Sequence, residues 1–248
     1  DSGGFVSGML FKKKGKQRGI AGIYPWSLSA YVELANTMGV NWWSQPDFCV
    51  EEAIAETREE VDYRINATAT MLEATLRLVY EWQNELAKTC SSTTVANMIK
   101  PCVPIVQGFT ISDYQRSADM LMQVWSRWQP WLDAPTLIGV GSVCRRSVKH
   151  PVHGLNAILA GLEGLIPESS RVHCFGVKGT VLSELKMLPW VASADSMAWD
   201  FGARVKARKA GCSNTMAHRS REMSEWMQKA ASRLKPTAGD QFRLPLFS

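Results

Sequence analysis

Short apolar runs that end in Gly, Pro or Asp and alternate with helical patterns constrain the fold of this chain more than any other feature. The runs lie at residues 42–49, 102–108, 137–143, 172–177 and 190–195. Their length and their apolar and β-branched content are typical of buried strands. Strands that alternate with helices predict an α/β fold in which parallel strands bring their end residues to one edge. Residues that are distant in sequence should therefore meet in one site.

Helical patterns fill the intervals between these runs. The longest covers residues 50–88, and Asn66 with the two residues after it could mark a break in it. Asp47 stands just before this pattern as a candidate helix cap, and Ser112 is the predicted cap of a helix that Pro130 ends. Further helices are predicted at residues 155–165, 178–188 and 215–234.

The length of the chain fits one domain. Its 248 residues are close to the roughly 250 of a TIM (β/α)8 barrel, and no linker or internal repeat divides them. We interpret residues 1–248 as a single barrel-type domain that ends in a helix and tail at residues 212–248. The DSGGF segment at residues 1–5 would close a sixth strand, and the chain begins with Asp rather than Met. We therefore expect a barrel that lacks its first strands.

The composition argues against a membrane protein. No apolar run approaches the ~20 residues of a membrane span, so no membrane association is expected. The six cysteines are scattered without a CxxC pair, which favours reduced thiols and a cytoplasmic location. The sequence leaves the oligomeric state open, and a homodimer is one candidate.

Two acidic residues stand out by their position. Asp1 and Asp195 each lie beside small residues where a predicted strand ends. A reaction at the anomeric carbon of a sugar needs two such carboxylates, one as nucleophile and one as proton carrier. Each residue also has a simpler interpretation. Asp195 could cap a following helix, and Asp1 could be a turn residue beside Gly3 and Gly4.

Basic residues follow three of the predicted strand ends, and the chain carries a formal net charge of +5. The candidates for nucleic-acid contact are Lys12, Lys13, Lys14, Lys16, Arg145, Arg146, Arg204 and Lys206. In these places the clusters would surround the mouth that holds the two carboxylates, which suits a polyanionic substrate. For any single cluster, a solvated face is the simpler interpretation.

Four segments resemble, in the same order, the motifs of the tRNA-guanine transglycosylase superfamily. DSGGF at residues 1–5 matches the D-S/T-G-G-F/Y loop of that superfamily, and VPIVQG at 103–108 resembles its IVQG strand. GVGS at 139–142 resembles its VGG strand end, and FGV at 175–177 followed by ADS at 194–196 resembles the region that supplies its nucleophile. The DSMAW and GVGSVCRR segments look most like the DpdA-type branch, which puts 7-deazaguanine bases into DNA.

The resemblance implies a role for each candidate. Asp195 is the expected nucleophile, and Asp1 is the expected acid and base. The expected contacts of a guanine-like base are Asp47, Gln107, Gly139, Gly141 and Ser142. The carboxylate of Asp47 would accept hydrogen bonds from the base, the amide of Gln107 suits its carbonyl edge, and the others would offer backbone N–H groups. Helix capping stays open for Asp47, as does simple strand-end geometry for the glycines.

The resemblance also bears on metals. The tRNA enzymes carry a C-x-C-x2-C…H zinc site beyond the nucleophile, whereas this region holds only Cys212 and His218. Two ligands are too few for a closed zinc site, so we expect no metal and no other cofactor. His150, His153 and His173 lack metal-like spacing and are assigned no role.

The resemblance therefore implies base exchange in DNA, in which guanine is replaced by 7-cyano-7-deazaguanine or a relative through a covalent Asp195 intermediate. The 7-deazaguanine base is the expected co-substrate. The same exchange on tRNA is the nearest alternative, and a catalytically silent nucleic-acid-binding accessory protein is the alternative from another class. The two carboxylates favour an enzyme, and the missing zinc ligands disfavour tRNA.

Overall fold

The computed structural model describes residues 2–144 and 146–236. Its strands are β1 (Ile105–Val106), β2 (Leu137–Val140), β3 (Arg171–Cys174) and β4 (Val191–Ala194). All neighbouring strands are parallel, in the order β1-β2-β3-β4, and the register pairs Gly139 with Ile105 on one side and with His173 on the other. The parallel sheet with helical connections confirms the predicted α/β class.

Helices surround this sheet. They are α1 (Gly4–Lys14), α2 (Leu28–Thr37), α3 (Arg58–Ala87), α4 (Ser92–Met98), α5 (Ile111–Trp128), α6 (Leu155–Leu162), α7 (Leu182–Leu185), α8 (Ala198–Lys209) and α9 (Met216–Leu234), with 3₁₀ turns at Ile20–Gly22 and Gly179–Val181. Helices α3 and α5 pack against each other and against β1, and α5 also packs against α6. The main core lies between them, with Tyr114, Ile138 and Leu159 fully buried. Each such side chain stabilises the fold by about 1.5–3 kcal/mol.

The described residues form four strands, so an eight-stranded barrel remains a prediction. The run at 42–49 contributes a single parallel bridge, between Ser44 and Val103. The strand stops there because Pro46 has no N–H to donate and the N–H of Asp47 donates instead to Tyr24 Oη at 3.1 Å. The segment nevertheless runs beside β1, since the N–H of Gln45 donates to the Val103 carbonyl at 3.0 Å.

The long helix α3 differs from its prediction in two ways. It begins at Arg58 because Thr57 and Glu60 form a capping box, so the alternative interpretation of Asp47 as its cap was wrong. It also continues through Asn66 without the suggested break. The hydroxyl of Thr68 has hydrogen-bond partners inside the protein. Its Oγ1 donates to the Arg64 carbonyl at 2.9 Å and accepts from the N–H of Phe48 at 3.0 Å.

The other helix boundaries are partly as predicted. Thr110, rather than Ser112, caps α5, and Asp113 completes the capping box. Thr215 caps α9, which confirms the predicted start of that helix. The pattern at 178–188 contains a 3₁₀ turn and the short α7, while α1, α2, α4 and α8 were not predicted. None of the helices in the described segments is both long and apolar enough to cross a membrane.

Candidate active site

The carboxyl edge of the sheet collects the residues that follow each strand. Gln107 follows β1 directly, Gly141 and Ser142 follow β2, and Asp195 follows β4. Because the strands are parallel, these positions share one edge. Gly139 lies within β2 itself, before the end of the strand. The fold thus brings together residues as distant in sequence as Gln107 and Asp195.

Asp47 is buried at this edge with both carboxylate oxygens engaged. Ser2 Oγ donates to Oδ1 at 2.7 Å, and Gln107 Nε2 donates to Oδ2. Tyr24 fixes the backbone of the same residue, because its hydroxyl donates to the Asp47 carbonyl and accepts from the Asp47 N–H. The side chain is therefore held in one orientation, facing Gln107.

Burial raises the pKa of Asp47, while the hydrogen bonds from Ser2 and Gln107 act in the opposite direction. Removing a carboxylate from water disfavours its charged form unless donors surround it. A ligand that presents two adjacent N–H donors would supply such stabilisation. The edge of a guanine ring, with its ring N–H and exocyclic amine, has this pattern.

Gln107 and Ser142 extend the polar network across the strand ends. Ser142 Oγ donates to Gln107 Oε1 at 2.5 Å and accepts from the N–H of Val50 at 2.8 Å. Ser142 adopts a positive φ of 56°, a backbone conformation that residues other than glycine rarely adopt. Gly141 has no room for a side chain, since a Cβ there would lie 2.3 Å from Gln107 Nε2. Glycine is required here by the close approach of Gln107.

The backbone N–H groups of the two glycines are already used. Gly139 donates to the Pro104 carbonyl at 2.8 Å, and Gly141 donates to the Val106 carbonyl at 3.0 Å. The role predicted for them, donation to a base carbonyl, therefore conflicts with the sheet hydrogen bonds. Gly139 instead makes room for an aromatic ring, because a Cβ there would lie 2.5 Å from Phe175.

Asp195 is the accessible carboxylate of the site, with 44% of its side chain exposed. The N–H of Gly176 donates to its Oδ1, and Gly176 adopts a left-handed φ of 72°, a conformation that favours glycine. Helix α8 begins three residues later with Met197 at its cap position and no side-chain cap. Asp195 is therefore not the cap of α8, and the alternative interpretation was wrong.

Two neighbouring thiols do not compete with this carboxylate as nucleophiles. Cys174 ends β3, and Cys49 contacts Ser142. Burial raises the pKa of each thiol to about 12, so both remain protonated near neutral pH.

Asp1 and Arg145 lie outside the described residues. The rest of the DSGGF segment nevertheless packs on the site, through the hydrogen bond from Ser2 and the contact of Gly4. A Cβ on Gly4 would lie 2.8 Å from Asp47 Oδ1, so this glycine permits the approach of α1. The first motif and the base-binding candidates therefore form one unit.

Comparison with known proteins identifies the family. Residues 1–242 match the family model described as DpdA, DeoxyPurine in DNA protein A. The chain belongs to the DpdA family. No curated protein matches it. Membership in the DpdA family implies transglycosylase chemistry in the 7-deazaguanine modification of DNA, with DNA as the substrate.

The basic residues expected to contact this DNA fall into two groups. Several are paired within the protein: Lys12 with Glu56, Arg204 with Asp200, and Lys206 with Glu222. Arg146 donates to the carbonyls of Ser142, Phe109 and Gly108 and stacks on the Phe109 ring, so it braces the loops after β1 and β2. By contrast, Lys13, Lys14 and Lys16 are exposed, and none has an ion-pair partner in the described part of this DpdA chain.

No three His, Cys, Asp or Glu side chains gather closely enough to hold an ion within residues 2–144 and 146–236. His218 is engaged elsewhere, with Nε2 2.9 Å from the Ala203 carbonyl and Nδ1 3.1 Å from Arg221.

One further residue of the site, His173, was not predicted from the sequence. It lies in β3 with its ring buried, and its Nε2 is 4.0 Å from Asp195 Oδ1. The missed signal was positional, since His173 precedes the end of a predicted strand in the same way as Gly139. Spacing alone could not reveal this, because the two side chains meet across neighbouring strands.

Proposed function

We propose that this DpdA protein exchanges guanine in DNA for a 7-deazaguanine base through a covalent glycosyl-Asp195 intermediate. One observation carries the proposal. An exposed carboxylate, held at one oxygen by the Gly176 N–H, lies at the same strand edge as the buried network of Asp47, Gln107 and Ser142. The first feature suits attack on a sugar, and the second suits recognition of a base.

The first displacement expels guanine. A lone pair of the Asp195 carboxylate attacks C1′ as the C1′–N9 bond breaks, and the bonding electrons leave with the base. Asp1 supplies a proton to the departing base. The product of this step is an ester between C1′ and Asp195 in which the configuration at C1′ is inverted.

The second displacement installs the new base. The incoming 7-deazaguanine gives its N9 proton to Asp1, and N9 attacks C1′. The C1′–oxygen bond breaks, and its electrons return to the Asp195 carboxylate. Two inversions restore the original configuration, and no redox or nucleotide cofactor takes part.

The base is selected by the edge that guanine and 7-deazaguanine share. In this proposal the ring N–H and exocyclic amine donate to Asp47, and the Gln107 amide pairs with the carbonyl. The 7-position lies on the opposite side of the ring system from the ring N–H and exocyclic amine that would donate to Asp47, which allows 7-cyano-7-deazaguanine or a relative to bind. A parallel barrel completed by further strands is the architecture that we propose around this half-sheet.

The test is incorporation of labelled guanine into double-stranded DNA or tRNA, for the wild-type protein and for Asp195→Asn. We expect label in DNA alone, a denaturation-resistant protein–DNA adduct in the wild type, and neither in the variant, which should still bind DNA. Label in tRNA instead would establish the tRNA alternative. Binding without exchange in the wild type would establish the silent accessory, and near-normal exchange by the Asn variant would remove Asp195 as nucleophile.

A further inference from the structure

His173 lies next to the proposed nucleophile and contacts two aromatic side chains. Its ring is 4.9 Å from the Trp42 ring and 4.6 Å from the Phe175 ring, measured between centroids. Only 5% of the residue is exposed. The ring is therefore held in place by packing on two sides, which is the condition for a group that orients another.

The two ring nitrogens of His173 face different partners. Nδ1 lies 2.8 Å from Ser193 Oγ, a hydrogen bond, and Nε2 lies 4.0 Å from Asp195 Oδ1. Burial lowers the pKa of His173, so the ring is neutral and carries one proton. When Ser193 donates to Nδ1, that proton resides on Nε2 and faces the carboxylate. This tautomer is favoured because its N–H dipole points at a negative charge.

The two oxygens of Asp195 are not equivalent in this arrangement. Oδ1 already accepts the Gly176 N–H and is the oxygen nearest to His173. A second donor on Oδ1 would lock the carboxylate and leave Oδ2 as the free oxygen. A distance of 4.0 Å between Nε2 and Oδ1 is about 1 Å too long for a hydrogen bond, but such contacts often tighten only when substrate binds.

We propose that His173 is a positioning residue that donates from Nε2 to Asp195 Oδ1 in the substrate complex, so that Oδ2 makes the bond to C1′. This inference rests on the proposed function. In the covalent intermediate Oδ1 is the ester carbonyl oxygen. When the new base attacks and the C1′–Oδ2 bond breaks, negative charge returns to the carboxylate, and Gly176 and His173 stabilise the share that develops on Oδ1.

Two substitutions separate the role of each ring nitrogen. The amide nitrogen of His173→Gln can take the place of Nε2, whereas that of His173→Asn reaches only the place of Nδ1. We expect the Asn variant to lower kcat for base exchange by about 10- to 100-fold, with KM and DNA affinity changed less than about twofold. The Gln variant should restore kcat to within about fivefold of wild type. A residue that only fills space would not distinguish these two amides in this way.

Equal activities of the Gln and Asn variants, or normal activity of both, would overturn the inference. Should the Asn variant fail to fold by thermal melting, Ser193→Ala provides a second test, since it removes the group that sets the tautomer without changing the ring. It should lower kcat by about 3- to 10-fold at constant KM, and an unchanged kcat would count against the inference. Measuring base exchange by Asp195→Asn in the same assay distinguishes failure of the proposed function from failure of the role of His173. Normal exchange by that variant refutes the proposed function, whereas its inactivity beside a normal His173→Asn protein refutes only the role of His173.

Discussion

Ser2 Oγ donates a 2.7 Å hydrogen bond to Asp47 Oδ1, although 45 positions separate the two residues. The bond joins the DSGGF segment to the carboxylate that Gln107 contacts from the other side. Because all these groups are buried, removing one partner leaves the next without a hydrogen bond. Mutational effects at this edge should therefore be strongly coupled.

Asp47→Asn should stabilise the free protein while abolishing base exchange. An Asn side chain keeps both hydrogen bonds if its Nδ2 donates to Ser2 Oγ and its oxygen accepts from Gln107, and it carries no charge to bury. Because burial raises the pKa of Asp47 above its ordinary 3.8, the folded protein binds this proton more tightly than the unfolded chain does. The contribution of Asp47 to stability is therefore complete below pH 3.8 and falls as pH rises toward the raised folded value.

Denaturant unfolding between about pH 4 and 8 measures this effect. The free energy of unfolding of the Asn variant, relative to wild type, should increase with pH across the lower part of that range. A difference that is independent of pH would show that Asp47 titrates normally in the folded protein. Binding of the free base, followed by calorimetry, should be lost in the variant.

Gly141→Ala should destabilise the protein and disrupt the network. The added Cβ would lie 2.3 Å from Gln107 Nε2, so Gln107 must leave its place beside Asp47. Overpacking of this kind costs about 1–3 kcal/mol. Gly202→Ala is the matched control, since Gly202 lies within α8 and a Cβ there meets nothing within 4 Å. The control should be stabilised by about 0.5–1 kcal/mol, as measured by thermal unfolding.

Neutralising Lys13, Lys14 and Lys16 together should flatten the salt dependence of DNA binding. Each lost phosphate contact reduces the slope of log K against log salt by about 0.9. Lys88→Gln is the control, because Lys88 is the C-cap of the 30-residue helix α3, about 45 Å from the end near which Lys12 pairs with Glu56. Equal slopes for the triple variant and the control would identify this lysine cluster as a solvated face.

Removing Cys212 and His218 should leave the metal content and the response to chelators unchanged. Both nitrogens of the His218 ring already contact protein groups, and the helices α8 and α9 are held together by the Lys206–Glu222 and Arg219–Asp200 pairs. Elemental analysis of the purified protein and melting with and without EDTA provide the check. One tightly bound zinc per chain that disappears in the double variant would contradict this expectation.

Much of the fold was predictable because local patterns decide it. The runs that become β1 to β4 and the cap at Thr215 could be recognised from neighbouring residues alone. The prediction of a strand at 42–49 was wrong beyond Ser44, where the pairing stops. A long-range hydrogen bond from the N–H of Asp47 to Tyr24 competes there with the hydrogen bonds of the sheet. No pattern within the run contains that information.

The candidate site was predictable to the extent that strand ends determine it. Gln107, Ser142 and Asp195 could be placed at one edge from topology alone, whereas the closeness of His173 to Asp195 depends on the register of β3 and β4. The pairing of Arg146 with three carbonyls was equally hidden, because a basic residue after a strand end looks the same whether it meets a phosphate or its own backbone.

In the free protein each carboxylate oxygen of Asp47 already accepts a hydrogen bond, so under the proposed function an incoming base competes with donors of the protein. A base that reaches the carboxylate either displaces Gln107 or Ser2 or donates to the remaining lone pairs of the two oxygens. A base that presents two donors replaces any hydrogen bond that is lost. Adenine, which has no second donor on the corresponding edge, would leave one carboxylate oxygen without a partner. Under the proposed function, the unliganded network would therefore compete with the incoming base, and discrimination between bases would begin before any contact with the sugar.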